Sequence, residues 1–248
     1  MHCAETGCKP DRLLDGGVHV VERRPENWHL PQHRKFPRQA GRLSVVTLGS
    51  GAVISVDAAD LEWANSAFAG MDRDQLMLGT QIATFADRAA RNRLLLYGPF
   101  TVYTCPENRV SSLTISEPYE IELIKFYDGR PPEVFPEDLS RFPHALGASP
   151  DHNRPEMLAA IARMDGAPVG VAAVSRDSEF MWQVGIDVLP AHRRQGLAAA
   201  LTSAVTRAVL DAGAVPYYAC SNTNIPSMKT ALAAGFRPMW VELLTKPI

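Results

Sequence analysis

The chain has 248 residues, which is enough for one large domain or two small ones. Hydrophobic residues make up 46% of the chain and charged residues 21%, so it can bury a sizeable core without disulfides or metal. The formal net charge of −2 provides no global field that would attract nucleic acid or an anionic membrane. We therefore expect no nucleic-acid partner and no membrane partner.

The cysteines are sparse: there are four, at positions 3, 8, 105 and 220. Such spacing fits a reducing compartment better than a disulfide scaffold. The sequence has no apolar run typical of a signal peptide or a transmembrane span, so we expect a cytoplasmic protein. Cys3 and Cys8, with His2 and His19, match no standard zinc spacing, and no metal site is expected.

The first half of the chain predicts two segments. Residues 1–40 are rich in proline, histidine and mixed charge, which favours a flexible N-terminal tail. Residues 41–118 predict a smaller N-terminal α/β region that begins with a hairpin around Gly49-Ser50-Gly51. A helix is expected after Asp57, a second between residues 72 and 90, and two strands broken by Gly98-Pro99.

Residues 119–248 predict a second region that alternates strands and helices. Strands are expected at 119–126, 157–164, 169–175, 180–188, 215–220 and 241–245, with a hairpin turn at Asp165-Gly166. Helices are expected at 136–142, 197–212 and 225–234, and a loop at 145–154. The fold class that follows is α/β, with a mixed sheet flanked by helices.

One loop in this region carries a binding signal. A buried strand ending at Val188 leads into His192-Arg193-Arg194-Gln195-Gly196-Leu197-Ala198, where a long helix begins. Small residues let the backbone approach a ligand, and the first N–H groups of a helix suit a phosphate or pyrophosphate. A simple N-terminal turn without a ligand is the alternative interpretation of the loop alone.

The wider segment resembles the GNAT acetyltransferase superfamily. The family loop pattern is (Gln/Arg)-x-x-Gly-x-(Gly/Ala), and Arg193, Gly196 and Ala198 occupy those places. A later family element, Asn-x-x-(Ala/Ser) followed by Gly-Phe, matches Asn224, Ser227 and Gly235-Phe236. The resemblance covers about residues 119–241.

This resemblance implies acetyl-CoA as co-substrate. The strand would splay from its neighbour near Val188, so that the backbone of Ile186 and Val188 binds the pantetheine arm. The loop, Arg193, Arg194, Gln195, Gly196, Leu197 and Ala198, would hold the pyrophosphate. Asn224 and Ser227 would lie near the pantetheine and the leaving thiol.

The general base is less clear from the sequence. Many family members place a carboxylate six residues before the position of Val188, where this chain has Trp182. Alternation places Glu179, Gln183 and Asp187 on one face of the strand, and a bulge, which the family has, would rephase the residues beyond it. Glu179 and Asp187 are the candidates, unless Glu179 is a turn residue and Asp187 an ion-pair partner for a loop arginine.

The usual family acid is a tyrosine four residues before the glycine of Gly-Phe, where this chain has Ala231. Ser227, Tyr218 or Cys220 would then serve, or the thiolate leaves without an acid. Cys220 as a covalent nucleophile is less favoured than a buried strand cysteine. His144 lies where the family lines its acceptor cleft, although a loop histidine beside proline is more often structural.

The function that the resemblance implies is direct N-acetyl transfer to the amine of a small molecule. Two alternatives stay open: a non-catalytic acyl-CoA sensor, favoured by Trp182 and Ala231, and a protein or peptide N-acetyltransferase. The sequence leaves open whether the chain forms a homodimer.

Overall fold

A computed structural model describes residues 8–23, 31–35, 43–126, 141–145 and 154–248. The chain divides into two compact units, one formed by Met1–Val102 with Met239–Ile248 and the other by Tyr103–Pro238. This division differs from the expected boundary at residue 118, because the last strand pairs with an early one: Trp240 to Leu244 lie opposite Leu48 to Ser44.

Ten strands and five α-helices are described. The strands are β1 (Val18–Glu22), β2 (Leu43–Leu48), β3 (Gly51–Val56), β4 (Leu94–Thr104), β5 (Glu120–Lys125), β6 (Glu156–Met164), β7 (Ala167–Arg176), β8 (Met181–Val188), β9 (Val215–Ser221) and β10 (Arg237–Pro247). The helices are α1 (Pro10–Leu14), α2 (Leu61–Ala67), α3 (Gly79–Arg91), α4 (Leu197–Asp211) and α5 (Ile225–Ala233).

The first unit contains a mixed sheet in the order β1-β3-β2-β10-β4. The predicted hairpin is confirmed, because β2 and β3 pair from Leu43↔Val56 to Leu48↔Gly51. Apolar residues of this sheet pack against Phe68, Leu76 and Phe85, and the rings of Phe68 and Phe85 stack at 4.3 Å. The two strands predicted around Gly98-Pro99 form one strand, β4.

The predicted tail differs from the structure in its described part. Val18–Glu22 form β1, which runs parallel to β3 and pairs with Ala52 to Val56. His33 is fully buried. The partner of β1 lies more than thirty residues later in the chain, and the short local pattern gives no sign of that pairing.

The second unit contains a mixed sheet in the order β9-β8-β7-β6-β5, with β8 and β9 parallel and the other pairs antiparallel. Both faces of β6 and β7 are buried. Leu158, Ala160 and Ala162 face the cluster that contains α4, whereas Ala159 and Ile161 face Phe142 and Ala145. A sheet buried on both faces explains the almost continuous apolar runs of these strands.

The remaining predictions for this region have clear outcomes. The strands at 157–164 and 169–175, with the turn at Asp165-Gly166, are confirmed as β6 and β7. The predicted helices at 197–212 and 225–234 are confirmed as α4 and α5. Most of the expected helix at 136–142 and loop at 145–154 lies outside the described residues. Across the described ranges, no helix is both long and apolar enough to cross a membrane.

Candidate active site

The site begins where β8 and β9 separate. Their parallel ladder has three pairs, Met181↔Val215, Trp182↔Pro216 and Gln183↔Tyr217. On its other side β8 pairs with β7 as far as Val188. The backbone of Val184–Val188 therefore presents an edge toward β9 that no ladder pair of the described residues occupies. This separation agrees with the splay that the resemblance implies, and it begins earlier than Val188.

The expected bulge in β8 is wrong for the described ladder. From Gly170↔Val188 to Arg176↔Trp182 the register with β7 advances one residue at a time. Period-two alternation therefore holds along β8. Val184 and Val188 pack in the cluster that contains α4, and Gln183, Gly185 and Asp187 point to the opposite face.

The loop after β8 has two residues with left-handed backbone, Arg194 at φ 64° and Gly196 at φ 81°. Gly196 is exposed and forms the N-cap of α4. A Cβ atom built on Gly196 would meet nothing within 4 Å. The first N–H groups of α4 lack partners within the helix, so the loop has both the donors and the space that an anionic group needs.

Side chains fix this loop on both sides. Arg193 Nε donates to the main-chain oxygen of Val188 at 2.8 Å. Tyr119 Oη donates to Gln195 Oε1 at 2.9 Å and lies 3.1 Å from Nδ1 of His192. Tyr119 is a site residue that could not be identified from the sequence, because its position before β5 gives no sign that it reaches the loop. Arg194 extends from the same loop as an exposed side chain. Leu197 is buried in the core, and Ala198 is half-buried at the start of α4.

The N-terminus of α5 lies beside β9. Asn224 is its N-cap, and Asn224 Oδ1 accepts from the main-chain N–H of Ser227 at 3.2 Å. The hydroxyl of Ser227 lies 2.7 Å from the hydroxyl of Tyr218. Ile225 is half-exposed, so this helix end is open on one side. The structure thus brings Asn224, Ser227 and Tyr218 together at this helix end.

Burial controls the ionisation of the groups on β9. It raises the pKa of Tyr218 to about 12, although the hydrogen bond with Ser227 opposes this effect. Burial also raises the pKa of the Cys220 thiol, again opposed by a hydrogen bond with Ser227. Ser227 therefore acts on both neighbouring groups, and both are neutral near pH 7.

Asp187 faces away from this pair. Asp187 Oδ2 accepts from the main-chain N–H of His144 at 2.5 Å and of Ala145 at 3.2 Å. A Cβ atom on Gly185 would lie 2.4 Å from the oxygen of His144 and 2.6 Å from that of Ala145. Residues 142–145 therefore lie directly against β8, and Gly185 permits this approach. Asp187 binds backbone N–H groups there, and none of its described contacts is with a loop arginine.

Glu179 lies in a different place from the one predicted. It is exposed in the turn between β7 and β8, because β8 begins at Met181. Nine residues separate it from Val188, which corresponds to roughly 30 Å along an extended strand. The prediction that Glu179 lies on the strand is wrong, and the structure does not bring it together with the loop.

Trp182 occupies the position where the resemblance implies a carboxylate. It packs against the cluster that contains α4. Its indole Nε1 is buried and has no hydrogen-bond partner within the described ranges. Ala231, at the family position of the acid, is fully buried in the same cluster. Neither residue offers a group that accepts or donates a proton in the reaction.

A buried polar network that the sequence analysis missed lies on the other face of β8. Arg154 Nε pairs with Asp177 Oδ1 at 3.0 Å, and Arg154 also donates to Ser175 Oγ at 2.9 Å and to Gln183. The hydroxyl of Tyr217 donates to Asp177. Since Gln183 and Tyr217 form the last pair of the β8–β9 ladder, the network holds the two strands together up to the point where they separate.

Strand separation, a glycine-capped helix start and an N-capped second helix occur together in this unit. Residues 116–236 match the sequence model of the acetyltransferase (GNAT) family. This part of the chain is a GNAT acetyltransferase domain. The expected fold class, α/β with a mixed sheet flanked by helices, is confirmed.

Several solved structures are similar to the chain. A GCN5-related N-acetyltransferase from Kribbella flavida is 17% identical, with a TM-score of 0.45 over 62% of this chain and 61% of that one. A tandem GNAT protein from the clavulanic acid biosynthesis pathway is 16% identical, with a TM-score of 0.45 over 60% and 53%. A GCN5-related N-acetyltransferase from Sphaerobacter thermophilus is 14% identical, with a TM-score of 0.44 over 66% and 56%. The matched part thus spans less than two thirds of each of these chains. A search of curated proteins found no match.

In the part of the chain that the structure describes, no group of three or more His, Cys, Asp or Glu residues is arranged to hold a metal ion.

Proposed function

We propose that this domain transfers an acetyl group from acetyl-CoA to the amine of a small molecule by direct transfer. One observation carries the proposal: the open edge of β8 at Val184–Val188 ends at the loop that caps α4. An extended edge followed at once by a helix N-terminus suits a ligand with an amide-containing arm and a pyrophosphate. Acetyl-CoA has both parts.

The residues that would hold acetyl-CoA follow from this order. The backbone of Ile186 and Val188 would bind the pantetheine amides as an added strand does. The N–H groups from Gln195 to Ala198 would bind the pyrophosphate, and Arg194 would add positive charge. The open space around Gly196 supports the assignment, because a side chain there would fill the place of the phosphate.

The transfer needs donors for the oxyanion that develops on the acyl carbonyl. Backbone N–H groups on the edge of β8 that no described ladder pair occupies are suited to this task, since the ladder with β7 fixes the strand on its other side. Asp187 and His144 lie on the face opposite α4, next to β8, which supports that face as the acceptor side. There they would orient the amine and accept its proton.

Direct transfer is supported by the state of the nearest thiol. Cys220 is 7% exposed, and burial raises its pKa. A nucleophilic cysteine needs a lowered pKa and access to the substrate. Cys220 therefore lacks the activation that a covalent acyl-enzyme requires, and attack by the amine on the thioester is the simpler route.

The decisive experiment measures thiol release from acetyl-CoA in the presence of a panel of small amines and short peptides. The proposal expects amine-dependent release of CoA and an acetylated small amine detected by mass spectrometry. Acetylation of peptides in preference to small amines would favour a peptide acceptor instead. Gly196→Glu serves as the control for release that does not depend on the domain.

A non-catalytic acyl-CoA sensor is the second candidate, because Trp182 and Ala231 stand where the resemblance implies a base and an acid. Both residues belong to the apolar cluster around α4. The same experiment separates the two functions. Tight acetyl-CoA binding by calorimetry without amine-dependent thiol release for any acceptor would favour the sensor.

A further inference from the structure

Two hydroxyl groups meet beside the gap between β8 and β9. Tyr218 Oη and Ser227 Oγ are 2.7 Å apart, which is a short hydrogen bond. Tyr218 projects from β9 immediately after the last ladder pair, Gln183↔Tyr217, so it lies where the strands have just separated. Tyr218 is 2% exposed, whereas Ser227 is half-buried. Ser227 is therefore the member of the pair that a ligand in the gap can reach.

The backbone fixes the position of Ser227. Its main-chain N–H donates to Asn224 Oδ1 at 3.2 Å, and Asn224 is the N-cap of α5. The ring of Tyr218 is held in the core, with its centroid 5.8 Å from that of Phe236. Each hydroxyl is thus carried by a side chain whose own position is fixed, and this is what a preorganised hydrogen-bond donor requires.

We propose that Ser227 is the hydroxyl that hydrogen-bonds the departing CoA thiolate, and that Tyr218 is the positioning residue that donates to Ser227 and turns its proton toward the sulfur. This inference rests on the proposed acetyl transfer at the same site. When Tyr218 Oη donates to Ser227 Oγ, Ser227 acts as the acceptor, and its own O–H remains available to donate to a different group.

The CoA sulfur can leave as a thiolate, so the transfer step needs no acid to protonate it. Transfer forms a bond between the amine nitrogen and the acyl carbon and breaks the bond between that carbon and sulfur. The sulfur leaves with the electron pair of the broken bond, as a thiolate, and the amine proton passes to solvent or to an acceptor-side base. Ser227 keeps its own proton and shares it with the thiolate in a charge-assisted hydrogen bond.

The ionisation of Tyr218 decides between hydrogen bonding and proton transfer. A thiol has a pKa of about 8.5. Burial raises the pKa of Tyr218 to about 12, so a full proton transfer from tyrosine to thiolate would be unfavourable by more than about a thousandfold. The tyrosine therefore stays protonated and acts as a donor throughout the range in which the thiolate forms.

The groups that act on Tyr218 come from several elements. Besides Ser227 on α5, the charges of Cys220 on β9, Asp187 on β8 and Tyr103 on β4 all raise its pKa.

The test compares the binding of CoA with that of desulfo-CoA, in which hydrogen replaces the thiol, by calorimetry between pH 7 and pH 9.5. In the unaltered protein the affinity ratio of CoA to desulfo-CoA should rise by about ten- to a hundredfold as the bound thiol ionises, because the hydroxyl favours the thiolate. Ser227→Ala should abolish the rise, and Tyr218→Phe should reduce it. If the two hydroxyls had only a structural role, each substitution would change the affinities for CoA and desulfo-CoA equally, and the pH dependence of their ratio would stay as in the unaltered protein.

Thr230→Ala is the matched control, because it also removes a hydroxyl from α5. That hydroxyl donates to the main-chain oxygen of Pro226 and is not hydrogen-bonded to Tyr218 or Ser227. It should keep the pH-dependent ratio. If Ser227→Ala keeps the ratio as well, the proposal is wrong. For turnover, Ser227→Ala should lower kcat by about ten- to a hundredfold with little change in KM. If Ser227→Ala turns over at the rate of the unaltered protein, the role of Ser227 is wrong and the proposed function stands. If the unaltered protein binds CoA but shows no turnover, the proposed function is wrong.

Discussion

Arg193 Nε donates to the main-chain oxygen of Val188 at 2.8 Å, so the first residue of the loop pattern is tied to the last residue of the strand before it. The contact gives Arg193 a role that does not depend on touching phosphate. It fixes the direction in which the chain leaves β8, and with it the direction of the N–H groups that follow.

Arg193→Ala should therefore weaken acetyl-CoA binding by about fivefold to tenfold, the value of one lost hydrogen bond. Arg194→Ala removes the same charge without the strand contact, so its effect should decrease more strongly with added salt. Calorimetry at two ionic strengths measures both. Equal losses with equal salt dependence would show that Arg193 acts through its charge alone.

Gly196 provides a second test of the binding loop, and α4 supplies its own control. Gly196 and Gly213 flank the two ends of this helix, at φ 81° and 78°, and a Cβ atom on either would meet nothing within 4 Å. Glutamate at either position should cost about 1 kcal/mol of stability through the left-handed backbone. Only Gly196→Glu brings a negative side chain to the proposed pyrophosphate position, so it should abolish acetyl-CoA binding while Gly213→Glu binds normally. Loss of binding in both variants would indicate a general effect on the helix.

Much of the loop and its helix could be predicted from the sequence, because those signals are local. Gly196 and Ala198 mark a close approach, and the apolar length of α4 marks its burial. The polar contacts could not be predicted, since Tyr119 reaches Gln195 across 76 positions and Arg154 reaches Gln183 across 29. Contacts between side chains that are distant in the chain produce no periodic pattern in the sequence.

The N-terminal stretch shows the same limit more sharply. Its charge and proline content predict a tail, yet Arg34 Nη2 lies 2.9 Å from Glu242 Oε2, and the two side chains are 6% and 7% exposed. Trp240 Nε1 donates to the same carboxylate at 3.0 Å. A charged residue is predicted to be solvent-exposed unless its partner is known. The partner of Arg34, Glu242, is 208 positions away in the chain.

Removing one member of this pair should be costly. Arg34→Met leaves Glu242 buried without its main counter-charge, and the free energy of unfolding should decrease by about 3–5 kcal/mol. The double variant with Glu242→Leu should recover much of that loss. The matched control is the more exposed pair Arg163–Glu122, where Arg163→Met should cost less than about 1 kcal/mol. Urea unfolding of the three variants and the unaltered protein measures these differences, and a loss below about 1 kcal/mol for Arg34→Met would restore the view that this stretch is a flexible tail.

Alkaline pH should destabilise the chain through Tyr218. Burial raises the pKa of Tyr218 to about 12, whereas in the unfolded chain it is about 10. The stability associated with the neutral phenol is fully present below pH 10 and is lost as the pH rises toward 12, to a total of about 2–3 kcal/mol. Denaturant unfolding at pH 9 and pH 11.5 should show that Tyr218→Phe removes this part of the pH dependence. Tyr97→Phe, at a side chain 40% exposed, is the control and should retain it.

The last prediction concerns the general base, for which the sequence left Glu179 and Asp187 as candidates. The structure separates them, because Glu179 is exposed in the turn before β8 whereas Asp187 lies on β8 against His144 and Ala145. Asp187→Asn keeps an oxygen for the two backbone N–H groups and removes the charge. Since a positioned general base contributes about 10²–10⁴-fold in rate, Asp187→Asn should lower kcat within that range and remove the acidic limb of the pH–rate profile.

Glu179→Gln should keep nearly full activity, and acetyl-CoA affinity should be unchanged in both variants. A loss of activity confined to Glu179→Gln would return the assignment to Glu179 and would require the turn before β8 to approach the acceptor. If neither change matters, the amine enters already neutral, and the domain acts mainly by holding the amine and the thioester in contact. The shape of the pH–rate profile separates that outcome from the others, because a neutral amine still gives an acidic limb that follows the acceptor and not the protein.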